Sequence, residues 1–102
     1  MFGELDPLLL SQLRLAVMSY LVVTREAEFN VLKEKTGSTA GNLSVQIAKL
    51  QEAGYISVEK TFRNNYPLTI CRITAAGVQA FESFFEDLKG YLEPDEKSPE
   101  LD

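Results

Sequence analysis

The chain contains no histidine. That absence removes imidazole acid–base catalysis, Ser-His and Cys-His nucleophile pairs, and zinc sites that need His. One cysteine, Cys71, permits no internal disulfide and gives no sign of secretion. No apolar run approaches the roughly 18 residues a membrane span requires. No basic segment precedes the first apolar stretch, which argues against a secretory signal and places the protein in the cytoplasm. Carboxylates and lysines are present, but no spacing among them marks a catalytic site, so neither an enzyme nor a bound metal or cofactor is expected.

Positive charge is also scarce: the net charge is −5. Its distribution matters more than its sum. Residues 82–102 carry eight acids and two bases, whereas residues 1–81 carry seven acids and eight bases. The acidity is a property of the C-terminal end, and the body is close to neutral. A length of 102 residues suits one domain. Residues 1–92 are expected to form it, and residues 93–102 to form a disordered acidic tail.

The pattern is clearest between Gly37 and Gly54. Both glycines can end helices, because Gly takes the left-handed cap conformation without a side-chain clash. Thr39 is a good N-cap. Leu43, Ile47 and Leu50 make one narrow apolar stripe at helical spacing. The opposite side carries Gly41, Asn42, Val45, Ala48 and Lys49, with few bulky groups. Such a face can enter a DNA major groove, and it also suits an ordinary surface helix.

Before this stretch, Asp6-Pro7 predicts the cap and first position of a helix running through Leu8–Val23. Leu9, Leu13, Val17, Tyr20 and Leu21 form its core stripe, leaving Leu8, Leu15, Met18 and Val22 in surplus; Arg14, Gln12 and Ser11 interrupt the apolar surface. Thr24–Glu28 reads as a polar connection. Phe29–Thr36 predicts a short second helix with Lys33 and Lys35 outward, stopped by Gly37. Two helices joined by so short a turn must cross steeply, as in a helix-turn-helix.

From Tyr55 the period becomes two. Ile56 and Val58 alternate with polar residues, Arg63–Pro67 makes a turn, and Thr69, Cys71 and Ile73 alternate in a second strand. Cys71 is expected to be a small core residue, with a reactive role as the alternative. Thr74 caps a last helix, on which Phe81, Phe84, Phe85, Leu88 and Leu92 form a stripe longer than the small core can cover. Phe2, Leu5 and Leu8 share that problem, and pairing across a two-fold axis would bury both surfaces.

The order helix, helix, helix, strand, strand, helix makes an α+β chain, mostly helical. With Phe29-Asn30-Val31-Leu32-Lys33, Gly41-Asn42-Leu43-Ser44, Lys49-Leu50-Gln51-Glu52-Ala53-Gly54-Tyr55-Ile56 and Thr69–Gly77, it resembles a winged helix-turn-helix regulator of the short, single-domain MarR-like group. That resemblance implies a homodimer on a pseudo-palindromic double-stranded DNA operator. The third helix would read the major groove, and the hairpin, or wing, would lie on the backbone or minor groove. The first and last helices would form the dimer interface, with Phe2, Leu5, Leu8, Phe81, Phe84, Phe85, Leu88 and Leu92 as candidates.

Base contacts are expected from Gly41, Asn42, Ser44, Val45 and Gln46. The amides of Asn42 and Gln46 suit adenine, and Val45 suits a thymine methyl. Lys49 and Arg63 lead the backbone candidates, followed by Thr39, Lys33, Lys35 and Lys60. The wing tip is poor in the Arg and Lys usual in the family, which lowers the expected affinity and salt dependence. Two other functions fit the same residues: a protein-docking winged helix, and a ligand-responsive switch with a cavity near Tyr20, Phe81 and Phe85.

Overall fold

A computed structural model of the protein describes residues 2–93. The acidic tail expected for 93–102 lies, from residue 94 onward, outside the described residues.

The first helix is shorter than its sequence pattern. Asp6 caps only a 3-10 turn, Pro7–Leu9, by accepting from the Leu8 amide at 3.0 Å. Ser11 then caps α1, Gln12–Thr24, by accepting from the Arg14 amide at 3.3 Å. The apolar run continues through the break, so hydrophobicity alone does not reveal it. Met18, expected in surplus, is fully buried together with Leu9, Val17 and Leu21.

The polar connection after α1 contains a strand. Arg25 turns the chain in one residue at φ 71°, a conformation costing a non-glycine about 1–3 kcal/mol. Its carbonyl accepts from the Ile73 amide at 3.0 Å. β1, Glu26–Glu28, follows directly. Helix α2, Phe29–Thr36, ends at Gly37 with φ 68°, and α3, Ala40–Glu52, begins after Thr39, whose hydroxyl accepts from the Asn42 amide at 3.1 Å. Leu43, Ile47 and Leu50 of α3 are buried as their spacing predicts, each stabilising the fold by roughly 1.5–3 kcal/mol.

β2, Ile56–Arg63, and β3, Tyr66–Ile73, meet through Asn64-Asn65, at φ 51° and 67°. Positive φ at both central residues makes the tight turn that matches strand twist. β3 is the central strand of the antiparallel order β1-β3-β2, with Ala27 and Val58 both opposite Cys71. β1 stops at Glu28, opposite Ile70, so Pro67 has a neighbour on one side only, where a residue lacking an N–H can sit.

Thr74 caps α4, Ala75–Leu92, by accepting from the Gly77 amide at 3.0 Å. Among the described residues, one core unites Leu9, Val17, Met18, Leu21, Leu32, Leu43, Ile47, Leu50, Ile56, Cys71 and Phe84. The architecture is a winged helix-turn-helix, mostly helical, with a long C-terminal helix.

Candidate nucleic-acid interface

Burying Leu43, Ile47 and Leu50 turns the other side of α3 to solvent. Gly41, Asn42, Ser44, Val45, Ala48 and Lys49 are all exposed, Val45 at 52%. Among the described residues, a Cβ on Gly41 would meet nothing within 4 Å, so the space beside this first-turn position is open.

Gln46 does not share this freedom. It is half-buried, its Oε1 accepts from Nη1 of Arg14, and its Nε2 donates to Asn42 Oδ1 at 3.1 Å. Both ends of the amide, expected to be available to adenine, are engaged inside the chain, one with Arg14 and one with Asn42. Arg14 in turn donates from Nε to the Leu8 carbonyl at 2.6 Å. The sequence shows Arg14 as an interruption in an apolar helix; its partner, 32 residues away, is supplied by the fold.

The wing has two chemically different faces. Side chains alternate across a strand, so Lys60 falls on the side of Ile56 and Val58. There Lys60, Val58 and Thr69 line an open groove of about 370 Å³ with Phe29 and with Ser44, Ile47, Ala48 and Gln51 of α3. Arg63 falls on the other face. Its Nη2 donates to Glu28 Oε2 at 2.7 Å. On the same face Arg72 bonds Glu26 at 2.8 Å and Glu59 at 2.7 Å, and these carboxylates hold its guanidinium above its ordinary pKa, Glu26 foremost. Of the two wing cations expected to contact the DNA backbone, Lys60 shares the groove with α3 and Arg63 is paired with Glu28 on the opposite face. Lys33 and Lys35 are exposed on the last turn of α2.

The apolar surface of α4 divides similarly. Phe84, expected between subunits, is 4% exposed and belongs to the core of the single chain. Leu5, Leu8, Phe81 and Leu88 are partly buried against that core. Phe85, Leu92 and Phe2 remain open at 54%, 71% and 70%. Phe2 stacks obliquely on Tyr91, with ring centroids 4.9 Å apart, and the Tyr91 hydroxyl donates to the Gly3 carbonyl at 2.6 Å. Tyr20 lines a depression with Glu26, Glu28, Val31, Arg63 and Ile70, and neither Phe81 nor Phe85 is among its walls. Among the described residues no group of three His, Cys, Asp or Glu side chains could hold a metal ion, and no helix is long and apolar enough to cross a membrane.

Residues 13–92 match the family model of the winged helix DNA-binding domain. The chain is 33% identical over 78 residues to an uncharacterized protein of Methanocaldococcus jannaschii, covering 76% of this chain and 85% of that one. Among solved structures it is similar to the transcriptional regulator homologue protein from Pyrococcus horikoshii OT3, at 28% identity and a TM-score of 0.79, over 84% of this chain and 85% of the other. A MarR family transcriptional regulator from Silicibacter pomeroyi shares the fold at 16% identity and a TM-score of 0.63, over 90% of this chain and 62% of that longer one. The chain belongs to the winged helix DNA-binding domain family.

Proposed function

We propose that the protein regulates transcription as a homodimer that binds a pseudo-palindromic operator, with the amino end of α3 in the major groove. The observation that carries this reading is the uncovered face Gly41-Asn42-Ser44-Val45-Lys49, bordered by Lys60 across an open groove. Asn42 and Val45 read bases; Ser44, Lys49, Lys60 and Thr39 meet sugar and phosphate. Lys33 and Lys35 contribute attraction at longer range, and Arg63 contributes less than Lys60. The open edge Phe2-Phe85-Leu92 is covered by a second copy, which sets two α3 helices on one duplex. The name of the Pyrococcus relative supports a regulatory role.

The test is selection from a randomised duplex pool at low ionic strength, with sedimentation of the same preparation. A dimer that enriches an inverted repeat is the expected result. A folded dimer that enriches no duplex and retains a nuclease-insensitive protein partner would replace this reading with a protein-docking role, for which Phe62 and Tyr66, both exposed on the wing, would be the contact residues.

A further inference from the structure

The hydrogen bonds joining α1 to α3 have a direction. Arg14 donates to the Leu8 carbonyl and to Gln46 Oε1, and Gln46 Nε2 donates to Asn42 Oδ1. A guanidinium has donors only and does not deprotonate in proteins. Gln46 must therefore meet it with its carbonyl. That leaves the Gln46 NH2 to face Asn42, which must answer with its own carbonyl. The end of Asn42 left over is its NH2, on the exposed first turn of α3.

An isolated asparagine on a helix surface can turn its amide over and offer either end to a base. Held Oδ1-first against Gln46, Asn42 cannot. We propose that Arg14 is a positioning residue for operator choice: it makes Asn42 a hydrogen-bond donor toward the groove, so that the protein selects base edges that accept. Guanine, with N7 and O6 side by side, fits best. Cytosine presents a donor at N4 and is rejected. Adenine loses the two-point pairing that a freely turning asparagine would give it, because the carbonyl that would accept from N6 is directed along the helix to Gln46. The inference rests on α3 being the groove-reading helix.

The experiment is selection from a randomised duplex library with the full chain and four variants. Asn42→Ala identifies the base positions that depend on Asn42, and every later comparison is made there, as the ratio of specific to scrambled-duplex affinity. The parent is expected to take guanine at these positions. Arg14→Lys, still a donor only, keeps that choice. Arg14→Met keeps the stem but frees both amides, and discrimination falls by about tenfold or more. Gln46→Glu is nearly isosteric and accepts from Arg14 and Asn42 alike. It turns the Asn42 carbonyl outward and moves the choice to adenine or cytosine.

The proposal is overturned if the parent selects cytosine or adenine for Asn42, or if Gln46→Glu returns the parent's bases. Should Arg14→Met lose its helical circular dichroism, Gln46→Glu, which retains Arg14, decides alone. A parent that enriches no sequence overturns the reading of α3 itself, whereas a parent whose operator depends on Asn42 but is indifferent to the Arg14 and Gln46 variants overturns only the role of Arg14.

Discussion

A Cβ on Gly77 would stand 2.1 Å from the carbonyl oxygen of Tyr55. That oxygen also accepts from the Thr74 amide at 3.0 Å, so the start of α4 sits directly on the backbone that leaves α3. Gly77→Ala must push one element away from the other, and a loss of about 1–3 kcal/mol or more is expected in thermal or denaturant unfolding. Gly41→Ala is expected to do the opposite. Open space surrounds that site, and the helix gains about 0.5–1 kcal/mol. Operator affinity should nevertheless fall, because in the proposed docking the added methyl would stand between α3 and the groove floor. A melting curve and a binding titration on the same variant separate the two effects.

The Tyr55 hydroxyl donates to Asp6 Oδ2 at 2.5 Å, fastening the 3-10 turn to the end of α3. The bond to Asp6, then burial, then the Asp6 charge push the Tyr55 pKa from 10.0 to about 12. The protonated form is the one the fold favours. Its contribution is therefore complete below pH 10 and is lost as pH rises from 10 toward 12. Denaturant midpoints across this window should fall more steeply for the parent than for Tyr55→Phe, and parallel curves would contradict the linkage.

Cys71 is wholly buried, and burial pushes its thiol from 9.0 to about 11. The shift alone lowers the thiolate fraction at neutral pH by about two orders of magnitude. Reaction of the native protein with an aromatic disulfide at pH 8 should be at least that much slower than after unfolding. Rapid native labelling would revive a redox role for this residue.

Lys60 and Arg63 should differ in a salt titration. Replacing Lys60 by Ala is expected to lower the slope of log affinity against log salt by about 1, as loss of a phosphate contact does. Arg63→Ala should change it less, since Arg63 is already bonded to Glu28 on the opposite face. Fluorescence anisotropy at four or five salt concentrations distinguishes them, and equal slopes would restore Arg63 to the interface.

Phe85 lies near the middle of α4 and is more than half exposed. Phe85→Asp places a charge where a second copy is expected to pack, at little cost to the single chain. Sedimentation should show monomer with unchanged circular dichroism, and operator affinity should fall with the loss of one half-site contact.

Much of this fold is written locally. Thr39, Gly37 and Thr74 set helix ends through atoms within a few residues, and the sequence names them. The Asn64-Asn65 turn is equally local. β1 is not: Glu-Ala-Glu has no strand pattern, and its hydrogen bonds come from β3, with Ala27 opposite Cys71. The apolar run from Leu8 onward conceals the break at Ser11, because burial continues through it. Lys60 was legible by parity with Ile56 and Val58, yet turn position draws attention to Arg63. Arg14 stands out in the sequence only as a lone charge; its meaning depends on Gln46, which no spacing on α1 can reveal.

The division of the hairpin into a lysine-bearing side and a glutamate-bearing side gives it handedness toward any polyanion. Glu26, Glu28 and Glu59 outnumber the two arginines they hold, so that side repels phosphate while the other admits it. In the proposed docking a duplex would therefore meet the hairpin from its lysine-bearing side. In that docking the hairpin would serve less as a grip than as a keel, fixing how the reading helix is tilted when it arrives.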